Sequence, residues 1–234
     1  MQKTVLRFTN YVLRTSLCVL LLLAASCSSA TPTAQAEALH IQYTFAAQPW
    51  LANLYNCAGN NVVETELRAA DFLDPQSVNL AIRIGQPTDL TGSAYQIGTE
   101  EILVVANRQN PVTQLTAEQV RGLFTGQVQT WKDISGTDAP VQVWVFPAGE
   151  DIQQIFEQTA LGGSPVTSAA RLANTSDEMS QAIANDVNAV GILTRHGKTG
   201  NISDVFTAAT APVLAIAPSE PDNTMAGILA CLQK

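Results

Sequence analysis

An α/β fold with mostly parallel sheets flanked by helices is predicted for this sequence by three observations. Segments of strand and helix character alternate from about residue 39 to the end. Runs such as Val78–Ile84 and Glu101–Ala106 are apolar with little polar alternation, the pattern of strands covered on both faces. Finally, 46% of the 234 residues are apolar, enough for a substantial core and incompatible with intrinsic disorder.

The chain begins with a segment of different character. Lys3, Arg7 and Arg14 precede the apolar run Leu17–Ala25, about half the ~20 residues a membrane-spanning helix needs. Residues 1–26 are therefore predicted to be a signal peptide. The run ends Ala24-Ala25-Ser26-Cys27, which resembles a bacterial lipobox and marks Cys27 for lipidation; Ala24 stands where Leu is usual. Cleavage after Ala34-Gln35-Ala36 is the alternative and would release a soluble protein. Residues 27–38 are small and polar, the composition of a flexible tether. Both routes export the protein, and the first places it on the extracytoplasmic face of the cell membrane.

Export changes the meaning of the cysteines. Cys18 leaves with the signal and Cys27 takes lipid, so Cys57 and Cys231 remain and are expected to pair in an oxidising compartment; two buried thiols are the alternative. His40 and His196 are the only histidines and no Cys/His ligand spacing occurs, so neither metal nor cofactor is expected. Net charge is −8 overall. Beyond residue 26 it is −11, with 9 basic residues against 20 acids, which argues against nucleic acid as a partner.

Element by element, His40–Phe45 reads as a strand, and Pro49 as the first turn of a helix through Cys57. Val62–Leu67 and Val78–Ile84 are strands, separated by Asp74-Pro75. Gly92 and Gly98 flank a turn before the strand Glu101–Ala106. Thr116 is placed to cap a helix through Phe124, with Glu118 in its first turn and Gly126 beyond its end. Val141–Phe146 is a strand, followed by a helix from about Glu150 to Ala160 and another marked by Ser176, Met179 and Ile183. Ala189–Leu193 and Val213–Ala217 are strands, and a helix closes the chain at Leu232.

The most specific motif is Asn110-Pro111-Val112, Leu115-Thr116, Gln119-Val120, Leu123-Phe124-Thr125-Gly126, Val128, Trp131 and Asp133-Ile134, in that order and spacing. It resembles the signature of phosphate-type periplasmic solute-binding proteins of ABC importers. Thr44–Pro49 resembles the first strand-to-helix loop of that family, and Asn188–Ile192 its N-A-I-G-Y strand. The resemblance implies a two-lobed type II periplasmic-binding-protein fold with a ligand cleft between lobes. Lobe 1 would hold residues 39–106 and 196–234, and lobe 2 residues 107–195. It implies a monomeric binding protein without catalysis that takes a small polar solute and delivers it to an ABC permease.

The likeness weakens where the family holds phosphate. Those proteins place an Arg after the second-lobe strand and a Ser-Gly-Thr turn at the following helix; here Phe146 and Glu150-Asp151-Ile152 fall at those positions. The Asp that often follows the first-lobe strand is replaced by Gly85-Gln86-Pro87. Phosphate is thus not the expected ligand. Candidate ligand residues are Thr44, Phe45, Arg83, Gln86, Glu150 and Asp151. All but Gln86 have a plainer reading: a simple turn for Thr44-Phe45, an internal ion pair or edge exposure for Arg83, helix capping for the two acids. Thr194-Arg195-His196 is placed at a hinge or cleft rim. An interaction or sensory module that kept this fold without transport is the alternative function.

Overall fold

The computed structural model describes residues 38–234. The predicted signal peptide, Cys27 and nearly all of the tether lie outside the described residues. The strands are β1 (Leu39–Tyr43), β2 (Val63–Leu67), β3 (Leu80–Ile84), β4 (Ser93–Asn107), β5 (Gln142–Val145), β6 (Arg171–Leu172), β7 (Ala189–Thr194) and β8 (Ile202–Ala217). The α-helices are α1 (Leu51–Ala58), α2 (Ala117–Phe124), α3 (Asp151–Thr159), α4 (Ser176–Asn185) and α5 (Asn223–Leu232). Short 3-10 helices cover Phe45–Trp50, Ala70–Phe72 and Trp131–Ile134.

All eight strands join in the order β2-β1-β3-β8-β4-β7-β5-β6. Pairing is parallel at both ends, β2-β1-β3 and β7-β5-β6, as the apolar runs and helical crossovers predict. Across the centre it is antiparallel, with β8 against β3 and β4, and β4 against β7. The central pair is long. β4 meets β8 from Ser93↔Ala217 to Asn107↔Ile202, with register shifts at Gln96/Gly98, Ile102/Leu103 and Val104/Val105. One end of this ribbon lies beside β3 and the other beside β7.

These strands correct the sequence reading twice. Gly98 is not in a turn but within β4, where a Cβ would come within 2.2 Å of the Trp50 ring; glycine there lets the indole lie against the strand. The last strand begins at Ile202 rather than Val213. Its first half, Ile202–Pro212, has mixed burial because it bridges the sheet's two ends, so no single apolar period marks it. Pro49, expected to open a helix, sits within the 3-10 turn that precedes α1.

Local chemistry sets the helices. Thr116 closes a capping box with Gln119: its hydroxyl accepts from Gln119 N at 3.3 Å while Gln119 Oε1 accepts from Thr116 N at 2.8 Å. Thr175 caps α4 and Asp222 caps α5. The core gathers on the sheet. Trp131 is fully buried and donates Nε1–H to the Asn188 carbonyl at 3.0 Å, and Phe124 meets Phe156 edge-on at 4.7 Å. Phe124 and Trp131, both in the sequence motif, thus anchor this part of the core.

Cys57 of α1 and Cys231 of α5 are joined by a disulfide across a sequence separation of 174. Closing so long a loop removes much denatured-chain entropy. Cys57→Ser/Cys231→Ser is expected to cost about 4–5 kcal/mol in the chain-entropy model, read as a lowered denaturant midpoint with a steeper slope from the more expanded denatured chain.

Candidate functional site

The predicted ligand residues come together where the carboxyl ends of β1 and β3 meet the amino end of α3. β3 is buried at every position, Arg83 included, because the strand lies inside the sheet between β1 and β8. Directly after it Gly85 adopts φ +73°, and a Cβ there would lie 2.7 Å from Ile155 of α3. Glycine therefore turns the chain and lets the helix approach. The loop after β1 brings Thr44 and Phe45 to the same place, tied down by Thr44 N–H donating to the Ile82 carbonyl at 3.1 Å.

At the centre is the Asp151 carboxylate, which has no exposed surface. Its Oδ2 accepts from the Thr44 hydroxyl at 2.7 Å and from Ile84 N–H at 2.8 Å, and its Oδ1 accepts from Ile152 N–H at 2.8 Å. Burial pushes its pKa up, while the Ile84 and Thr44 hydrogen bonds and the charge of Arg83 oppose the rise. Beside it Phe146, where the family signature has Arg, packs on Phe45 with ring centroids 4.6 Å apart.

Glu150 differs from its neighbour. It occupies the N-cap position of α3 but makes no capping hydrogen bond, against the capping role considered for it. Its Oε2 is buried without a hydrogen-bond partner. Burial first, then the charges of Asp151 and Asp71, raise its pKa from 4.5 to about 7.

Arg83 is 8% exposed and makes one long hydrogen bond, Nε–H to the Ile84 carbonyl at 3.5 Å. Among the described residues no carboxylate lies within ion-pairing distance of it. Burial lowers its pKa, and Asp151 and Asp71 partly restore it. Arg83 and Gln86 line a cavity of about 620 Å³ together with Asp71, Asp89, Gln154 and Gln158. Thr44, Phe45, Glu150 and Asp151 are packed behind this cavity and do not line it. Asp71, Asp89, Gln154 and Gln158 are among the lining residues that escaped the sequence reading. Asp71 lies on the 3-10 turn Ala70–Phe72, where its Oδ1 accepts from Gln154 Nε2 at 2.7 Å; no local pattern marks a residue whose role depends on a partner 83 positions away.

His196 lies elsewhere. Nδ1 of its ring is 2.8 Å from Oε2 of Glu100, which is completely buried on β4 and also accepts from Trp50 Nε1 at 3.2 Å. Arg195 bridges Glu101 and Asp204, tying β4 to β8. The segment after β7 is thereby fastened to the central ribbon. Among the described residues no cluster of His, Cys, Asp and Glu has metal-binding geometry.

Glu150 gives the pH dependence a sign. In the folded protein it holds its proton up to about 7 against 4.5 when unfolded, so the folded state binds more protons between those values. That stabilisation is complete below the lower value and lost as pH rises through the upper one. Glu150→Gln is expected to remove about 1–2 kcal/mol of this decline after allowance for solvent screening, checked by denaturant melts between the two pKa values.

Comparison with known proteins places this geometry in a family. The family model described as a PBP superfamily domain matches residues 91–229, more than half of the chain. A putative phosphate ABC transporter substrate-binding protein from Clostridium perfringens, solved with bound phosphate, superposes with a TM-score of 0.74 at 17% identity, covering 84% of this chain and 93% of that one. An ABC-type phosphate transport receptor from Vibrio cholerae gives 0.66 at 18% identity, with the same coverages. The CcmR regulatory domain of Synechocystis PCC6803, in complex with 2-PG, gives 0.60 at 13% identity, over 84% and 95%. At these identities the superpositions establish a shared fold, the periplasmic-binding-protein architecture with its α/β sheet. With the family match over residues 91–229, the chain belongs to the PBP superfamily.

Proposed function

We propose that this protein is the extracytoplasmic solute-binding component of an ABC-type importer and takes a small polar solute other than phosphate. The observation that carries this reading is the cavity of about 620 Å³ beside Arg83, a buried guanidinium with no ion-pair partner among the described residues. A buried charge in that state calls for a ligand group. Gln86, Gln154 and Gln158 add polar contacts, and Asp71 and Asp89 add negative charge. Phosphate is disfavoured by the acids at the start of α3 and by Phe146. The protein works by binding and not by catalysis.

In this reading residues 39–106 with 196–234 form one lobe and 107–195 the other. They would move where β7 of the second lobe pairs with β4 of the first, the strand pairing that joins them. Solute would favour closure through its higher affinity for the closed state. The chain acts as a monomer held to the membrane by lipid on Cys27 and presents the solute to a permease. Among the described residues no helix is long and apolar enough to cross a membrane. A sensory or interaction module is the second reading. It is favoured by internal bonds such as Thr44–Asp151 and Asp71–Gln154, which hold the site together without a solute.

Thermal-shift measurements against phosphate, sulfate, amino acids and sugars test the main reading. A polar solute should raise the melting temperature, and Arg83→Ala should abolish that rise; no response to any solute favours the second reading. For the anchor, palmitate incorporation should be lost in Cys27→Ala, and labelling that survives the substitution sinks the lipid claim.

A further inference from the structure

Three donors from three separate segments converge on the Asp151 carboxylate: the Thr44 hydroxyl after β1, the Ile84 N–H at the end of β3, and the Ile152 N–H in the first turn of α3. A hydroxyl and backbone N–H groups at a helix N-terminus, shielded from water, are the means by which proteins hold free oxyanions. Here the buried Arg83, whose charge bears on Asp151 and which has no ion-pair partner among the described residues, adds positive potential. The acceptor of all three bonds is the chain's own Asp151 side chain.

We propose that this cluster is an oxyanion seat whose resident ligand is the Asp151 side chain, so that Asp151 denies the site to free oxyanions. The inference rests on the solute-binding reading only for its consequence, the exclusion of phosphate from the cleft; the seat itself stands on the three hydrogen bonds. The seat also explains how α3 is held. Because the carboxylate reaches from the first turn of α3 to the ends of β1 and β3, it fastens that helix by the bonds a solute would otherwise make. It differs from the Arg83 cavity, which Asp151 does not line.

Removing the carboxylate while keeping the Cβ, in Asp151→Ala, should leave the donors unpaired and open to a small oxyanion. Formate has the size of the missing group, and sulfate and inorganic phosphate ask whether the seat takes a tetrahedral anion. With the full chain at matched ionic strength, one or more of these three should raise the melting temperature of Asp151→Ala. Its apparent affinity for that anion should be at least about tenfold above wild type, since charge-assisted hydrogen bonds are regained. Asp151→Asn, whose amide still fills the seat, should show no response, and neither should Thr44→Val/Asp151→Ala. These comparisons separate site binding from the general stabilisation that sulfate and phosphate give by exclusion from protein surfaces.

A folded Asp151→Ala indifferent to all three anions overturns the proposal. So does a response equal to that of wild type, of Asp151→Asn or of the double variant. If Asp151→Ala is recovered unfolded, refolding decides: recovery that depends on one of these anions supports the seat, and failure with all three overturns it. An anion response in Asp151→Ala with no solute found for wild type would keep the seat and remove transport. The reverse result would remove the seat and keep transport.

Discussion

The Asp151 carboxylate is the constraint on which the arrangement of the site depends. A carboxylate without exposed surface costs several kcal/mol in desolvation unless its oxygens are satisfied. Thr44, Ile84 and Ile152 satisfy them, and each must be held within hydrogen-bonding distance for the account to balance. This explains why the loop after β1, the end of β3 and the start of α3 are mutually fixed, and why Gly85 is needed where the helix passes close to the strand. Glu150, one residue earlier, lacks such donors on Oε2, and burial raises its pKa to about 7. Burial pushes the pKa of both adjacent acids up, and at Asp151 the Ile84 and Thr44 hydrogen bonds and the charge of Arg83 oppose the rise.

The central β4–β8 ribbon carries the rest. It joins β3 to β7, so it connects the two parallel ends of the sheet through continuous backbone hydrogen bonds. Buried Glu100 on β4 gathers Trp50 and His196, and Arg195 reaches Glu101 and Asp204 across the ribbon. The bridge is therefore cross-braced by charged groups as well as by the ladder. Trp50 can lie flat on β4 only because Gly98 lacks a side chain. The disulfide makes a comparable tie at the chain's ends, holding α5 to α1.

Much of this fold was legible in local patterns. The cap at Thr116 and the apolar run of β3 are short-range signals, and they appear where the sequence placed them. The first half of β8 was not legible, because a strand that changes neighbours along its length keeps no constant burial period. At the site, Arg83 was a candidate because a charge in an apolar strand is an anomaly visible in one dimension, and Gln86 because of its place in the family resemblance; both line the cavity. Asp71, Asp89, Gln154 and Gln158 carry no such anomaly. On their own segments they are ordinary surface residues.

By itself the sequence determined the α/β class, carried the family signature and led to the expectation that Cys57 pairs with Cys231. These follow from periodicity, residue chemistry and spacing, which survive projection onto a line. Only the tertiary structure decided that Asp151 bonds to Thr44 and Ile84 instead of simply capping α3, and that Arg83 opens on a cavity without an ion-pair partner. Residues 44, 84 and 151 are brought together by the packing of α3 against the sheet. A hydrogen bond between a side chain and donors 67 and 107 positions away has no signature in local sequence. Its strength comes from the burial that only the assembled fold supplies.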